Sequence, residues 1–540
     1  MQQKIKKNLR LFADNALNMV ALSILTGLFA GVVVTFYNIL MELGEKNSAV
    51  LYSLIRENPA FIPLLFVGLC AGAIVIGTFV RFVPMIRGSG IPQIEGAARG
   101  IIRFKWYVTM CSMFAASLAC VFMGYPAGAE GPSLEIGGCA GNAVGTLLKR
   151  NSMVKRLQTA SGASAGLAVA FNAPVTGLVF ALEEAFRSFS PQVFICAAIS
   201  VIVALFTRNA IRPALGYSVG FSFDDKFIFK FVFDSSGALF CLWVVLAAVI
   251  VSLVGVAFYY SVFACKRLFK HITLLKGAFK YVIPFSVAGA FALITAYSIG
   301  GGHGFIEALS THGGEHEMHL TQVFGIGLIA SLVIIVIFRY ITSVLSMSCG
   351  VPCGVFIPML AIGAGLGAIL SLLFQKAGMS AEYSDYLVII SMAAFFTCVV
   401  KAPITGIVMV FELTGQFANF LPALLGIAVG YLIGSLFKTE AIYEKNLKGY
   451  IKEEKIYEKF KKERVTVTVK QNSKADGSAV RAMVWPANGL VVTLKTLDGN
   501  EVVPDGETVM HAGEQIVFEC ETDDEKELMQ YLYSIVGKPD

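Results

Sequence analysis

The chain has 540 residues, of which 56% are hydrophobic and only 15% charged, and its formal net charge is +6. Soluble globular proteins carry about 25% charged residues, so this composition argues against a soluble protein. Apolar runs long enough to span a bilayer recur at Ala16–Leu40, Pro63–Val80, Ala238–Phe263 and around Ile326–Ile337. The composition therefore predicts an all-α polytopic membrane protein.

Basic residues cluster on both sides of the apolar region, at Lys4, Lys6, Lys7, Arg10, Lys438, Lys445, Lys448, Lys452 and Lys455. By the positive-inside rule, both termini are expected in the cytoplasm and the protein in the cytoplasmic membrane. A nucleic-acid patch is the alternative, and the juxtamembrane position argues against it. The first apolar run lacks a small-residue cleavage pattern, so we expect a retained span rather than a signal peptide.

Pattern changes along the chain predict its organisation. An internal repeat carries the central division: Ala173–Val179 recurs as Ala402–Val408, and Pro132–Gly141 recurs as Pro358–Gly367. A looser third match relates the Gly-x-Gly segment at Gly88 to that at Gly300. We therefore expect a basic N-terminus (1–15), a first membrane repeat (16–215), a polar connector (216–235), a second membrane repeat (236–450), a charged helical linker (451–464) and a small soluble α+β domain (465–540).

Three segments suit the binding of a small anion, which needs hydroxyls, backbone N–H groups and helix N-termini in place of water. Gly88-Ser89-Gly90-Ile91-Pro92 offers a hydroxyl and amides before a short helix, and Gly354–Pro358 offers amides before the repeated helix. Tyr443 offers a phenolic hydroxyl after the last span. Each is ambiguous alone, since the first suits a helix-packing turn and Tyr443 suits an interfacial aromatic belt.

The segment Gly128-Ala129-Glu130-Gly131-Pro132 places a carboxylate at the start of an apolar helix. Charge inside a membrane is costly and indicates function. Helix N-termini favour the ionised carboxylate while burial favours the neutral acid, so Glu130 is predicted to compete with an external anion for this position.

Together these segments resemble the ClC family of chloride channels and chloride–proton antiporters, over about residues 16–450. The resemblance implies the ClC fold of two inverted halves with broken helices, and a homodimer with one pathway per subunit. It implies chloride binding by Ser89, Gly90, Ile91, Gly131, Val355, Phe356 and Tyr443. It also implies that Glu130 is the external gate and proton carrier, and that Glu184 is the internal proton-transfer residue.

Some residues depart from the family pattern or have a simpler interpretation. Ala129 stands where a basic residue is common, which removes a fixed positive charge near the outer mouth. Glu184 also suits a solvated helix end, paired with Arg187. The Ser89 and Tyr443 segments are intact, whereas fluoride-selective relatives alter them, so chloride is favoured.

The C-terminal segment resembles the TrkA-C domain, the C-terminal lobe of RCK proteins, at 485–492, 503–508 and 512–517. This resemblance implies either a small-molecule regulatory domain or a passive oligomerisation domain. The loop His312–His319 could hold a divalent metal through three histidines, but such loops are more often merely polar, and we expect no metal site and no cofactor.

The sequence lacks an HExxH motif and a P-loop, so an enzyme is not expected. Proton-coupled chloride exchange is the leading interpretation. A passive chloride channel on the same fold is the alternative, and Glu184 argues against it.

Overall fold

A computed structural model describes residues 2–186, 191–218, 235–271, 277–309, 327–414, 420–454, 461–483, 485, 489–522 and 525–539. Within these ranges, eight helices are long and apolar enough to cross a membrane. The expected helical membrane body is therefore confirmed. The His312–His319 loop, Arg187 and most of the 216–235 connector lie outside the described residues.

The first half of the membrane body contains helices of very unequal length. They are α1 Gln2–Glu57, α2 Ile62–Phe82, α3 Ile91–Ala98, α4 Trp106–Phe122, α5 Glu130–Leu147, α6 Ser152–Phe171, α7 Pro174–Phe180 and α8 Pro191–Ala214. A π-helical turn, Ala181–Phe186, follows α7 directly. The short members α3 and α7 end within the body, which is the broken-helix pattern expected of a transporter.

The second half repeats this pattern of long and short helices. They are α9 Ser235–His271, α10 Val282–Ile294, α11 His303–Ala308, α12 Leu328–Cys349, α13 Phe356–Lys376, α14 Ser384–Val400, α15 Pro403–Thr414, α16 Phe420–Leu436 and α17 Ile442–Glu453. The sequence repeat has matching backbone conformations. Gly90 and Gly302 both have left-handed φ angles, +77° and +113°, at the starts of α3 and α11.

Glutamates from the two halves cap each other's short helices. The Glu183 carboxylate accepts hydrogen bonds from the backbone of Ile404 and Thr405 at the start of α15, at 3.0 and 2.7 Å. The Glu412 carboxylate accepts from Val175 and Thr176 at the start of α7, at 2.7 and 2.6 Å. Reciprocal contacts of this kind are what a two-fold relation between equivalent segments produces.

Glycines let α5 and α6 approach closely, so that both helices lie inside the protein. A Cβ on Gly141 would lie 1.8 Å from the Gln158 carbonyl oxygen, and one on Gly162 would lie 2.1 Å from the Gly137 carbonyl oxygen. Small residues at a crossing allow such backbone contact. This packing fixes the start of α5, where the candidate site lies.

The C-terminal segment forms a small β-containing domain. Its strands are β1 Lys461–Thr468, β2 Ser478–Ala479, β3 Gly489–Lys495, β4 Glu501–Val502, β5 Val509–Met510 and β6 Gln515–Thr522, followed by helix α18 Glu525–Val536. One antiparallel sheet has the order β1-β6-β3-β4, and β2 pairs with β5. Alternate residues such as Ile516 and Phe518 are buried against Leu532 of α18, as the predicted strand pattern requires.

The expectation of a helical linker is wrong for its second part. Residues Lys461–Arg464 begin strand β1 instead, where Arg464 lies opposite Glu519 and forms a 3.0 Å ion pair with it. Pairing with β6 overrides the local charge pattern that suggested a helix. The first part does agree, since α17 continues to Glu453.

Candidate functional site

Two glycine loops, one from each half, meet at the centre of the membrane body. The Gly128 N–H donates to the Gly354 carbonyl at 2.8 Å, and the Gly354 N–H donates to the Gly128 carbonyl at 2.9 Å. These two bonds form an isolated antiparallel bridge. Helices α5 and α13 begin directly after the loops, so their N-termini converge on one place.

The Ser89 loop reaches the same place. A Cβ on Gly131 would lie 2.6 Å from the Ser89 carbonyl oxygen and 3.2 Å from Gly354 Cα, so only glycine fits there. Gly90 caps α3 and Ile91 begins it. The structure thus brings Ser89, Gly131 and Gly354 into direct contact, and it places the starts of α3, α5 and α13 side by side.

Glu130 is the first residue of α5 and its side chain is only 2% exposed. The carboxylate folds back over its own loop, since a Cβ on Gly128 would lie 2.2 Å from Oε2. Within the described residues, Oε2 has no hydrogen-bond partner. Burying a carboxyl oxygen without a hydrogen-bond partner costs free energy, and a cost of this kind is typical of a functional group.

The predicted residues of the second half line the other side of the site. Val355 precedes α13 and shares a small cavity with Ser89. The Phe356 ring packs against Phe180 at a centroid distance of 5.6 Å, and Phe180 packs against Tyr443 at 6.3 Å. Tyr443 is fully buried, and its hydroxyl has no hydrogen-bond partner in the described part of the chain, so a donor is available for a ligand.

Two cavities reach the site, one lined by Glu130 and the other by Ser89. The Glu130-side cavity has a volume of about 500 Å³. Its lining residues include Glu130, Glu45, His303, Arg208 and Arg212. The Ser89-side cavity is about 50 Å³, and Arg87 and Lys266 lie in its wall. Both cavities therefore have basic side chains in their walls. On the side where Ala129 supplies no charge, Arg208 and Arg212 are accompanied by the carboxylates of Glu42 and Glu45.

The adjacent glutamates after α7 have different surroundings. Glu183 caps α15 from the other half, whereas the Glu184 side chain is 2% exposed and lies inside the body. Both lie in the π-helical turn Ala181–Phe186, and such turns are frequent at functional sites. Arg99 anchors this region, because it contacts the Glu184 carbonyl at 3.5 Å and pairs with Glu444 at 2.9 Å.

The structure also reveals charged residues that sequence motifs did not indicate. His303 Nε2 lies 3.4 Å from Glu130 Oε1. Glu135, five residues after Glu130, is fully buried, and a Cβ on Gly90 would lie 2.0 Å from its Oε2. In the sequence, the only signal at His303 is that it follows the loose Gly-x-Gly repeat, and the only signal at Glu135 is that it is a carboxyl in an apolar helix.

Three comparisons place this geometry among known proteins. Residues 71–435 match the sequence profile of the family described as "Voltage gated chloride channel". The H(+)/Cl(−) exchange transporter ClcA of Vibrio cholerae serotype O1 (strain M66-2) is 28% identical over 447 residues, covering 81% of this chain and 90% of that protein. ClcA of Yersinia pestis bv. Antiqua is 29% identical over 389 residues, covering 71% and 77%.

Solved structures share the fold at low sequence identity. A slow cyanobacterial Cl−/H+ antiporter aligns with a TM-score of 0.70 at 22% identity, covering 81% of this chain and 99% of that one. A CLC-type fluoride/proton antiporter aligns with a TM-score of 0.55 at 20% identity, covering 78% and 96%. The matched profile, the shared fold and the meeting of the two glycine loops lead to one conclusion: the chain belongs to the voltage-gated chloride channel, or ClC, family of multi-pass membrane proteins.

Proposed function

We propose that this protein exchanges chloride for protons across a membrane. The observation that carries the proposal is the position of Glu130. Its buried carboxyl lies where the N-termini of two helices converge and where a 500 Å³ cavity reaches the site. Relatives over most of the chain are named as H(+)/Cl(−) exchange transporters, which supports the same activity.

Chloride binds, in this proposal, among Ser89, Gly90, Ile91, Gly131, Val355, Phe356 and Tyr443. Helix N-termini stabilise an anion without the full positive charge that would trap it. The buried hydroxyl of Tyr443 supports this assignment, since it has no partner in the described residues. Because the Ser89 and Tyr443 segments are intact, we favour chloride over fluoride.

Protons travel by way of Glu130 and Glu184. In this proposal the two groups flank the anion site, with Glu130 at the start of α5 and Glu184 in the turn after α7. When Glu130 is ionised it occupies the outer anion position, and when it is protonated it leaves that position to chloride. Binding linkage is reciprocal, so chloride that displaces the carboxylate also favours its protonation.

The wider setting follows from the family and the charge pattern. We propose a homodimer in the cytoplasmic membrane, with both termini in the cytoplasm. The C-terminal domain is proposed to be TrkA-C-like and to bind a small regulatory molecule or to support dimerisation. No nucleic acid, metal or cofactor has a part in this scheme.

Paired flux measurements test the exchange. Purified protein is reconstituted in liposomes loaded with chloride, and chloride efflux and proton uptake are recorded together. Exchange predicts that outward chloride flow drives protons inward against a proton gradient. Chloride flux without proton movement would instead identify a passive channel on the same fold.

A further inference from the structure

His303 and Glu130 lie side by side in the wall of the Glu130-side cavity. Its Nε2 lies 3.4 Å from Glu130 Oε1, close to hydrogen-bonding distance. The His303 side chain is 32% exposed while that of Glu130 is 2% exposed. His303 therefore touches both the solvent-filled cavity and a carboxyl that solvent barely reaches.

The backbone that carries His303 is held in place from two sides. Glu45 Oε1 accepts a hydrogen bond from the Gly301 N–H at 2.9 Å. The Arg339 guanidinium donates to the carbonyls of Tyr297 and Gly301, at 2.5 and 3.4 Å. These contacts fix the turn before α11, so the imidazole is aimed at Glu130 by the fold.

Charged groups of both signs face His303 from the neighbouring helices. Arg212 pairs with Glu42 through two hydrogen bonds of 2.8 and 3.0 Å, which occupies both side chains. Glu307, on the helix of His303 itself, does not line the cavity. The facing groups are Glu130 from α5, Glu42 and Glu45 from α1, Arg208 and Arg212 from α8, and Arg339 from α12.

We propose that His303 is a proton-transfer residue that passes protons between the cavity water and Glu130. This inference rests on the proposed exchange function. An imidazolium Nε2–H bond breaks as the proton moves to Glu130 Oε1, which gives a neutral imidazole and a carboxylic acid. The Nε2 atom then takes a proton from a hydronium ion in the cavity, because Nδ1 is buried, and the same steps run backwards when Glu130 releases its proton.

The acid–base chemistry of imidazole suits the position of His303 beside Glu130. Imidazole is the side chain whose ordinary titration lies closest to neutral pH, and a positioned imidazole is an efficient acid–base group there. Among the neighbours, Glu45 already accepts from Gly301 and Glu42 from Arg212. His303 is therefore the described neighbour of Glu130 best placed to exchange a proton with water.

The test compares His303→Gln with His271→Gln in liposomes. His271 is an exposed histidine at the end of α9 and serves as the matched control. His303→Gln should slow coupled exchange by about tenfold or more, because positioned acid–base groups contribute roughly a hundredfold or more. It should also remove the neutral-pH inflection in turnover when pH is varied on the Glu130 side, and imidazole added on that side should restore part of the rate.

A double variant separates proton transfer from a structural role. In a Glu130→Gln background there is no carboxyl to protonate, so adding His303→Gln should leave chloride flux unchanged. An equal loss of chloride flux in that background would overturn the inference. Should His303→Gln fail to reconstitute, His303→Asn carries the same pH and imidazole readouts.

The outcomes also distinguish the role of His303 from the proposed exchange function on which that role rests. If wild-type protein moves no protons, the exchange function itself fails. If wild type pumps protons while the His303 variants keep its rate and its pH profile, only the role of His303 is refuted.

Discussion

At the scale of residues, the neighbouring carboxyls Glu183 and Glu184 have different surroundings. Glu183 accepts three hydrogen bonds from the start of α15, two from the backbone and one from the Thr405 hydroxyl. Glu184 is buried beside α3. A stability role for Glu183 can therefore be distinguished by measurement from the proton role proposed for Glu184.

We expect Glu184→Gln to reduce proton flux about tenfold or more while chloride flux and thermal stability stay near wild type. The amide keeps the shape of the side chain but cannot carry a proton. Glu183→Gln should instead cost about 1.5–3 kcal/mol, the range for hydrogen bonds to a charged group, with the proton-to-chloride ratio unchanged. Paired fluxes and thermal unfolding in detergent measure both, and the opposite assignment of effects would contradict the account.

The sequence predicted the site residues that lie in contiguous motifs. Glu130, Ser89 and Tyr443 could be named because each sits beside glycines, prolines or a span end that restrict its conformation. His303 could not be assigned a role, since its contact with Glu130 joins the two halves and depends on how the loops fold together. Contacts between segments that are far apart in the sequence leave no local sequence pattern.

At the scale of elements, the position of α5 depends on its glycine contact with α6. The predicted starts of α3, α5 and α13 agree with the structure because glycine and proline mark helix N-termini clearly. The strand at Lys461–Arg464 was missed because cross-strand pairing, rather than local charge, decides its structure. The π-helical turn after α7 likewise has no signal in residue spacing.

Gly141→Ala should destabilise the protein by at least about 1–3 kcal/mol, the usual cost of overpacking. The new methyl would meet the Gln158 carbonyl at 1.8 Å, and backbone cannot move aside cheaply. Gly68→Ala, on α2, is the matched control because its Cβ would meet nothing within 4 Å. Thermal unfolding in detergent should separate the two, and equal melting temperatures would show that α5 and α6 are less tightly packed than described.

At the scale of the whole molecule, Glu453 lies where the membrane body leads to the C-terminal domain. It is the last residue of α17 and forms ion pairs of 2.7 Å with Arg87 and 2.6 Å with Lys270. Arg87 directly precedes the Ser89 loop. Arg87 and Glu453 both line the Ser89-side cavity, so the end of α17 is joined to that cavity by an ion pair.

The same ion pairs predict a pH dependence of stability. Burial disfavours the charged form of Glu453, but Arg87 and the neighbouring lysines outweigh it and lower its pKa to about 2. A lowered pKa stabilises the folded protein above the ordinary carboxyl value of about 4.5, and this contribution is lost as pH falls towards 2. It amounts to at most about 3 kcal/mol, reduced by solvent screening.

Glu453→Gln should therefore lower the melting temperature at pH 6, and the difference from wild type should shrink as the pH is lowered from 4.5 towards 2. Glu382→Gln is a suitable control because Glu382 is exposed and forms no ion pair within the described residues. A difference that persists unchanged at low pH would mean that Glu453 stabilises by packing rather than by charge.

The proposed coupling of chloride to protons through the Glu130 carboxyl is examined best by the paired fluxes of Glu130→Gln. The amide is neutral and carries no proton, so it should leave the outer anion position open to chloride. We expect continued chloride flux with no proton uptake, under conditions where the wild type pumps protons uphill. A Glu130→Gln variant that still drives proton uptake from a chloride gradient would refute the gating role proposed for Glu130.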